Sequence, residues 1–293
     1  MFKRIFLFFA VNCLVILTIS AILSLLNVKP YLTSHGLDLQ SLLIFCLIWG
    51  MVGALISLAL SRKMAKSMMR IQLITPSGPQ ADLYHMVARL ARDANLPDIP
   101  EIGIFDSPQM NAFATGPTKR RSLVAVSTGL LSRMEKNELE AVLAHEISHI
   151  SNGDMVTMTL IQGVVNAFVM FLARVLAYAV TTMGRSNNRR SSYMSYYLFT
   201  MLFEVVFMIL GSMVICTFSR WREFRADRGG AILTRKEHMI AALEKLRLNN
   251  APPSNTKSAL NALMISPSGK GRILRLFATH PPLEMRIKRL REM

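Results

Sequence analysis

The sequence predicts an α+β, mainly helical protein held in a membrane by two pairs of hydrophobic segments, and three observations carry that reading. Of its 293 residues, 52% are hydrophobic and the mean hydropathy is positive, both high for a soluble chain of this length. Apolar runs near 5–26, 42–60, 157–183 and 193–218 are each long enough to cross a hydrocarbon core of about 30 Å. Between and after them lie amphipathic helical and short strand-like stretches able to fold outside lipid.

Residues 1–64 read as a membrane hairpin. The run from Ile5 to Leu26 is interrupted only by Asn12, Thr18, Ser20 and Ser24, and the run from Leu42 to Leu60 carries no charge. Lys3 and Arg4 precede the first run as in a signal peptide. The run is longer than an ordinary signal core, however, and Asn27-Val28-Lys29-Pro30 offers no small-x-small cleavage site, so it is expected to stay as an anchor. Arg62, Lys63, Lys66 and Arg70 follow the second run, against Lys29 alone between the two. The positive-inside rule therefore places both ends of the hairpin in the cytoplasm. The net charge of +16 follows largely from such flanking residues and from attraction to anionic lipid. It is not interleaved with aromatics in one domain, which argues against a nucleic-acid partner. Cys13, Cys46 and Cys216 all fall in apolar segments and read as small buried hydrophobes rather than a disulfide framework.

Residues 65–156 are expected to form the first half of a cytosolic domain. After the turn-like Pro76-Ser77-Gly78-Pro79, residues 81–94 put Leu83, Met86, Val87, Leu90 and Ala91 on one helical face. Residues 101–105 and 122–126 look like short strands, with 111–116 as a third. Leu139, Val142, Leu143, Ile147 and Ile150 then recur at helical spacing, and Ser132 with Glu135 fits a capping box before them. A second hydrophobic pair, 157–183 and 193–218, flanks the polar residues 184–192. Its arms carry Gln162, Asn166, Arg174 and Glu204, and Arg185, Arg189 and Arg190 sit poorly in an outside loop, so whether both arms cross stays open. In a hairpin centred near Asn188, Arg174 lies 14 residues before the centre and Glu204 16 after it. Their depths then differ by about 3 Å, and an ion pair is expected, because an unpaired charge in hydrocarbon costs about 2.5–3.5 kcal/mol on insertion scales. Residues 219–293 would complete the domain. No internal repeat or low-complexity tract is present.

The chemistry is concentrated in His145-Glu146-Ile147-Ser148-His149, the His-Glu-x-x-His pattern of a helical zinc site. Residues four apart lie about 40° apart around a helix and about 6 Å along it, so both imidazoles can reach one metal. Glu146 then projects beside the metal, where a general base can take a proton from zinc-activated water. The bland alternative is two histidines falling by chance one turn apart on a charged helix. A catalytic zinc needs a third protein ligand. The histidine expected six residues after His149 in one known pattern is Met155 here, which leaves a carboxylate among Asp154, Glu204, Glu223, Asp227, Glu237, Glu244, Glu284 and Glu292. Glu223 is the best candidate, because Arg222-Glu223-Phe224-Arg225-Ala226-Asp227 restarts a helix just past the apolar run. Asp227, one turn on, could accept the outer N–H of a ligand histidine. The competing reading of that segment is a solvated surface helix.

Asn111-Ala112-Phe113-Ala114-Thr115-Gly116, His145 through Asp154, Arg222 through Asp227 and Thr279-His280-Pro281-Pro282 together resemble the bacterial HtpX family of membrane-bound zinc proteases, relatives of the type 1 CAAX prenyl proteases. The resemblance covers nearly the whole chain. It implies a gluzincin-like metallopeptidase domain with His145, His149 and Glu223 on one Zn2+ per subunit and Glu146 as base. It also implies a multi-pass protein of the bacterial inner membrane, active site toward the cytoplasm, cleaving misfolded or damaged membrane proteins in quality control and stress response. Asn111 and Ala112 would lie on the edge strand that holds an extended polypeptide substrate.

His280 precedes two prolines that can open the last helix, where Arg286 follows. It is either a helix-entry residue or, like Arg286, a donor to the oxyanion of the tetrahedral intermediate. His35, His85 and His238 read as solvent-facing. The leading reading is therefore a membrane-anchored zinc metalloendopeptidase. A site-2-type intramembrane protease is disfavoured because Glu135, Lys136, Glu138 and Glu140 put the zinc helix outside hydrocarbon. A membrane scaffold or transporter-like protein with a structural zinc would need a fourth ligand, and six histidines with no cysteine outside the apolar runs offer no obvious one. The sequence leaves the oligomeric state open.

Overall fold

The computed structural model describes residues 2–28, 31–33, 36–183, 189–249 and 276–293. In chain order the elements are α1 (Phe2–Leu25), β1 (Leu32–Thr33), β2 (Gly36–Leu37), α2 (Leu39–Met69), β3 (Gln72–Leu73), α3 (Ala81–Asp93), β4 (Glu101–Phe105), β5 (Ala112–Thr115), β6 (Leu123–Ser127), α4 (Thr128–Leu131), α5 (Lys136–Asn152), α6 (Asp154–Met183), α7 (Arg189–Leu233), α8 (Lys236–Asn249) and α9 (Leu283–Arg291). They fall into two compact units, Met1–Ser57 with Met158–Ile215 and Leu58–Thr157 with Cys216–Met293.

The first unit is helical apart from the β1–β2 hairpin. Among the described residues α2, α6 and α7 are long and apolar enough to cross a membrane, and α1 runs for 24 residues. A Cβ on Gly50 would stand 2.7 Å from the Gly163 carbonyl oxygen and 2.8 Å from the Ala167 nitrogen, so α2 and α6 touch backbone to backbone there. Arg174 on α6 donates from Nη1 to Glu204 Oε1 on α7 at 2.6 Å, and its guanidinium also lies over the Phe45 ring. The expected pairing of these two charges is thus present. The hairpin centre at Asn188, Arg185 and His35 lie outside the described residues.

The second unit is built on a four-stranded sheet in the order β3-β4-β6-β5, with β4 and β6 parallel and the other pairings antiparallel. Every residue of β6 is buried, as a central strand covered on both faces should be. α3 contributes Val87 and Leu90 to the core, α5 contributes Leu143, Ile147 and Ile150, α8 contributes Met239 and Leu243, and α9 contributes Ile287 and Leu290. α5 lies in the middle of this arrangement, packed on α3, α8 and β5.

Three local expectations need correction. The capping box of α5 is Glu135 with Glu138, not Ser132 with Glu135. Ser132 instead closes α4, whose N-terminus is capped by the Ser127 hydroxyl. The helix does not restart at Arg222, because α7 is one continuous helix of 45 residues. Likewise the second apolar run does not end its helix at Leu60, because α2 runs on to Met69 and carries Arg62, Lys63 and Lys66, with Arg70 just past its end.

Candidate metal centre

His145 and His149 stand one turn apart on α5, buried, with their Nε2 atoms 3.1 Å apart. Two ring nitrogens this close need a proton or a cation between them. Glu223 reaches the same point from α7: Oε2 lies 3.5 Å from His145 Nε2 and Oε1 3.4 Å from His149 Nε2. The two helices approach this closely because Gly229 and Gly230 are on the contact. A Cβ on Gly229 would meet Ser148 Oγ at 2.5 Å, and one on Gly230 would stand 3.2 Å from the His145 nitrogen.

Ligands about 2.0–2.1 Å from a tetrahedral zinc lie about 3.3 Å from one another. Separations of 3.1, 3.4 and 3.5 Å therefore fit that ion, and these three side chains group as a possible metal site. Glu146, between the histidines in sequence, is half-buried where both histidines are buried.

Behind each histidine stands an Arg–Asp pair. Asp154 Oδ2 lies 2.7 Å from His149 Nδ1, and Arg225 donates from Nη2 to Asp154 Oδ1 at 2.8 Å. Asp227 Oδ1 lies 3.0 Å from His145 Nδ1, though off the line of a hydrogen bond, and Arg286 donates to both Asp227 oxygens from Nε at 2.8 Å and Nη2 at 2.5 Å. The part Asp154 plays is the one sequence reasoning missed. Its signal was local: Gly153 at φ 72 ends α5 in the left-handed conformation, which turns the chain so that the next residue, opening α6, meets the histidine of the preceding turn.

These contacts set the charges. Burial pulls the His145 imidazole down, but Asp227 and Glu223 outweigh it and push the group up to about 9. Glu223 lies beyond the apolar stretch of α7, which ends at Phe218. Its burial favours the neutral acid, yet His145, His149 and His280 hold its carboxyl well below the usual carboxylate range. Asp227 is likewise held low by Arg286 and His145 against its burial. Glu223 is thus held as a carboxylate beside the two histidines, the form in which it can ligate a cation.

His280 Nδ1 lies 2.8 Å from Glu223 Oε2 while 62% of its side chain is exposed, so it faces both the centre and solvent. Arg286 is buried, and Nη1, the end not held by Asp227, is 3.7 Å from Glu223 Oε2. Ala112 opens β5, an edge strand alongside α5. Asn111 pairs with Ser127, accepting from its N–H at 2.9 Å and donating to its hydroxyl at 3.0 Å. Antiparallel alternation then turns the main-chain groups of Ala112 and Ala114 away from β6, toward the open edge. Of the other histidines, His85 is exposed, but His238 is half-buried with Nδ1 unpartnered among the described residues, against the expectation of a solvent-facing ring.

A helix-borne histidine pair and a carboxylate from a second helix, beside an edge strand, define the class of metal-dependent peptidases. The chain belongs to peptidase family M48, whose model matches residues 77–293. It is similar to HtpX protease homologues from Thiobacillus denitrificans, 49% identical over 291 residues and covering 99% of both chains, and from Bacillus subtilis, 47% identical over 301 residues with the same coverage. Its structure is also similar to the crystal structure of Ste24p from S. mikatae, with a TM-score of 0.66 at 18% identity. That likeness covers 99% of this chain and 65% of the other.

Proposed function

We propose that the protein is a membrane-anchored zinc endopeptidase with one Zn2+ per subunit, which hydrolyses misfolded or damaged membrane proteins in quality control and stress response. The observation that carries this reading is the triangle of His145, His149 and Glu223 with half-buried Glu146 beside it. Bound there, zinc would supply Lewis-acid polarisation of water and of the scissile carbonyl. Glu146 takes the proton of the attacking water and returns it to the departing amine. Ala112 and Ala114 bind an extended substrate through main-chain hydrogen bonds, which accept many sequences and suit a quality-control enzyme. The exposed Asn111 side chain contacts the same chain, and His280 and Arg286 donate to the oxyanion. The spans 5–26, 42–60, 157–183 and 193–218 anchor the chain in the bacterial inner membrane, with the catalytic halves 65–156 and 219–293 in the cytoplasm.

The test uses full-length protein purified in detergent under chelator, then loaded with zinc, beside Glu146→Gln. Cleavage of an unfolded membrane protein that returns with zinc, and is lost in Glu146→Gln at unchanged zinc content, is the expected result. Zinc binding without cleavage in both proteins would overturn the reading and make the metal structural.

A further inference from the structure

Behind the metal centre the second unit holds a cavity of about 530 Å³, and its walls are basic and aromatic. Trp221, Phe224, Arg225 and Arg228 come from α7, and Arg286 and Arg289 from α9. One side-chain carboxylate, Asp227, shares the lining with the terminal residue Met293, and Arg286 already holds Asp227 at both oxygens. Arg225 is paired with Asp154, which leaves its buried Nε without a partner among the described residues. No described carboxylate pairs with Arg228 or Arg289, and Arg289 lies over the Phe224 ring at 4.6 Å. The cavity therefore carries two guanidinium groups with no described ion-pair partner and an unused donor, the arrangement that binds an oxyanion in a fork.

The position along α7 says which anion. The apolar stretch ends at Phe218, and Trp221 follows three residues later, about 4.5 Å along the helix. Trp is the residue that favours the membrane–water interface. Arg225 follows about 10 Å from the end of the apolar stretch, and helical side chains lean toward the N-terminus, here back toward that stretch. The headgroup layer on one side of a bilayer is about 5–8 Å deep, so these groups lie within reach of lipid phosphates. We propose that this cavity is a binding site for the phosphate of an anionic phospholipid headgroup, a role distinct from peptide hydrolysis.

The chain has two tryptophans, so a Trp49→Phe background leaves Trp221 as the only reporter. The full-length protein in phosphatidylcholine vesicles is titrated with phosphatidylglycerol brominated near the headgroup, and in parallel with equally brominated phosphatidylcholine. Stronger, saturable quenching by the phosphatidylglycerol is expected. Arg228→Gln with Arg289→Gln should abolish the difference, while Arg228→Lys with Arg289→Lys should keep only part of it, because an ammonium cannot hold the phosphate in a fork. Both arginines are exposed and neither holds a metal-centre aspartate, so folding should persist, and circular dichroism checks it. Arg120→Gln with Arg121→Gln removes two equally exposed charges elsewhere and should leave the preference intact. Equal quenching by the two lipids would overturn the proposal, as would a preference that survives the loss of Arg228 and Arg289. An inorganic-phosphate effect on Trp221 without any lipid preference would reassign the cavity to free anions and overturn the lipid assignment.

Discussion

Asp154 and Asp227 stand behind His149 and His145 in different contacts, and the difference predicts different mutant phenotypes. Asp154 makes a short contact to His149, and its arginine, Arg225, is partly exposed. Asp154→Ala is expected to lower zinc affinity about 10–100-fold while the protein stays folded, because water can replace the lost partner of Arg225. Asp227 is buried and receives two donors from buried Arg286. Asp227→Ala strands that guanidinium, and breaking a buried pair on one side costs about 3–5 kcal/mol. This variant should therefore lose melting temperature even in the metal-free state. Zinc competition against a chelator and thermal unfolding of the apo protein separate the two cases. Equal losses of stability in both variants would contradict the assignment. For Glu146→Gln the expected loss of hydrolysis is about 10²–10⁴-fold, read at constant zinc content.

At the level of elements, the metal centre depends on how closely α7 lies on α5. Gly229→Leu adds a side chain where even a Cβ meets Ser148 Oγ at 2.5 Å, so the helices must separate. The expected outcome is loss of zinc, because Glu223 is withdrawn from a site whose ligands must meet within tenths of an ångström. Zinc content of the purified variant measures it, and full retention would show that the contact is not needed. The edge strand offers a different test. Ala114→Pro removes an N–H aimed away from β6, so the pairing of β5 within the sheet survives while its capacity to bind an incoming strand falls. KM for an unfolded substrate should rise several-fold with kcat and zinc content little changed. A normal KM would move substrate binding off this edge.

Across the whole molecule, the first unit supplies a test of the charges among its apolar helices. Reversing Arg174 or Glu204 alone should reduce the yield of folded protein, whereas Arg174→Glu with Glu204→Arg should recover part of it, since the 2.6 Å contact is retained in reverse. That pair was legible in the sequence because depth along two antiparallel helices is simple arithmetic. So were the His145–His149 spacing, three of the four strands of the sheet and the placement of Glu223 one turn before Asp227, all consequences of local period. The continuity of α7 was not legible. The shift from Phe218 to Arg220-Trp221-Arg222 changes polarity without any helix breaker, and polarity was read as a boundary. Asp154 escaped because its partner lies across a glycine cap, where the chain reverses its helical phase. β3, two residues long, carries too little pattern to see, and it exists through its pairing with β4.

The unbroken α7 has a mechanical consequence. Met201, Leu202, Val205 and Ile209, all exposed apolar residues, share one rod with Glu223. A bilayer that thins or thickens is met by tilting of the helices within it, at a cost of fractions of a kcal/mol per ångström. The apolar residues and the carboxylate belong to one helix, Arg189–Leu233, with no proline among its residues. A response of the metal centre to the thickness of a surrounding bilayer is therefore the outcome to test. The protein's rate on a soluble peptide should change with the acyl-chain length of the surrounding vesicle even though that substrate never enters lipid.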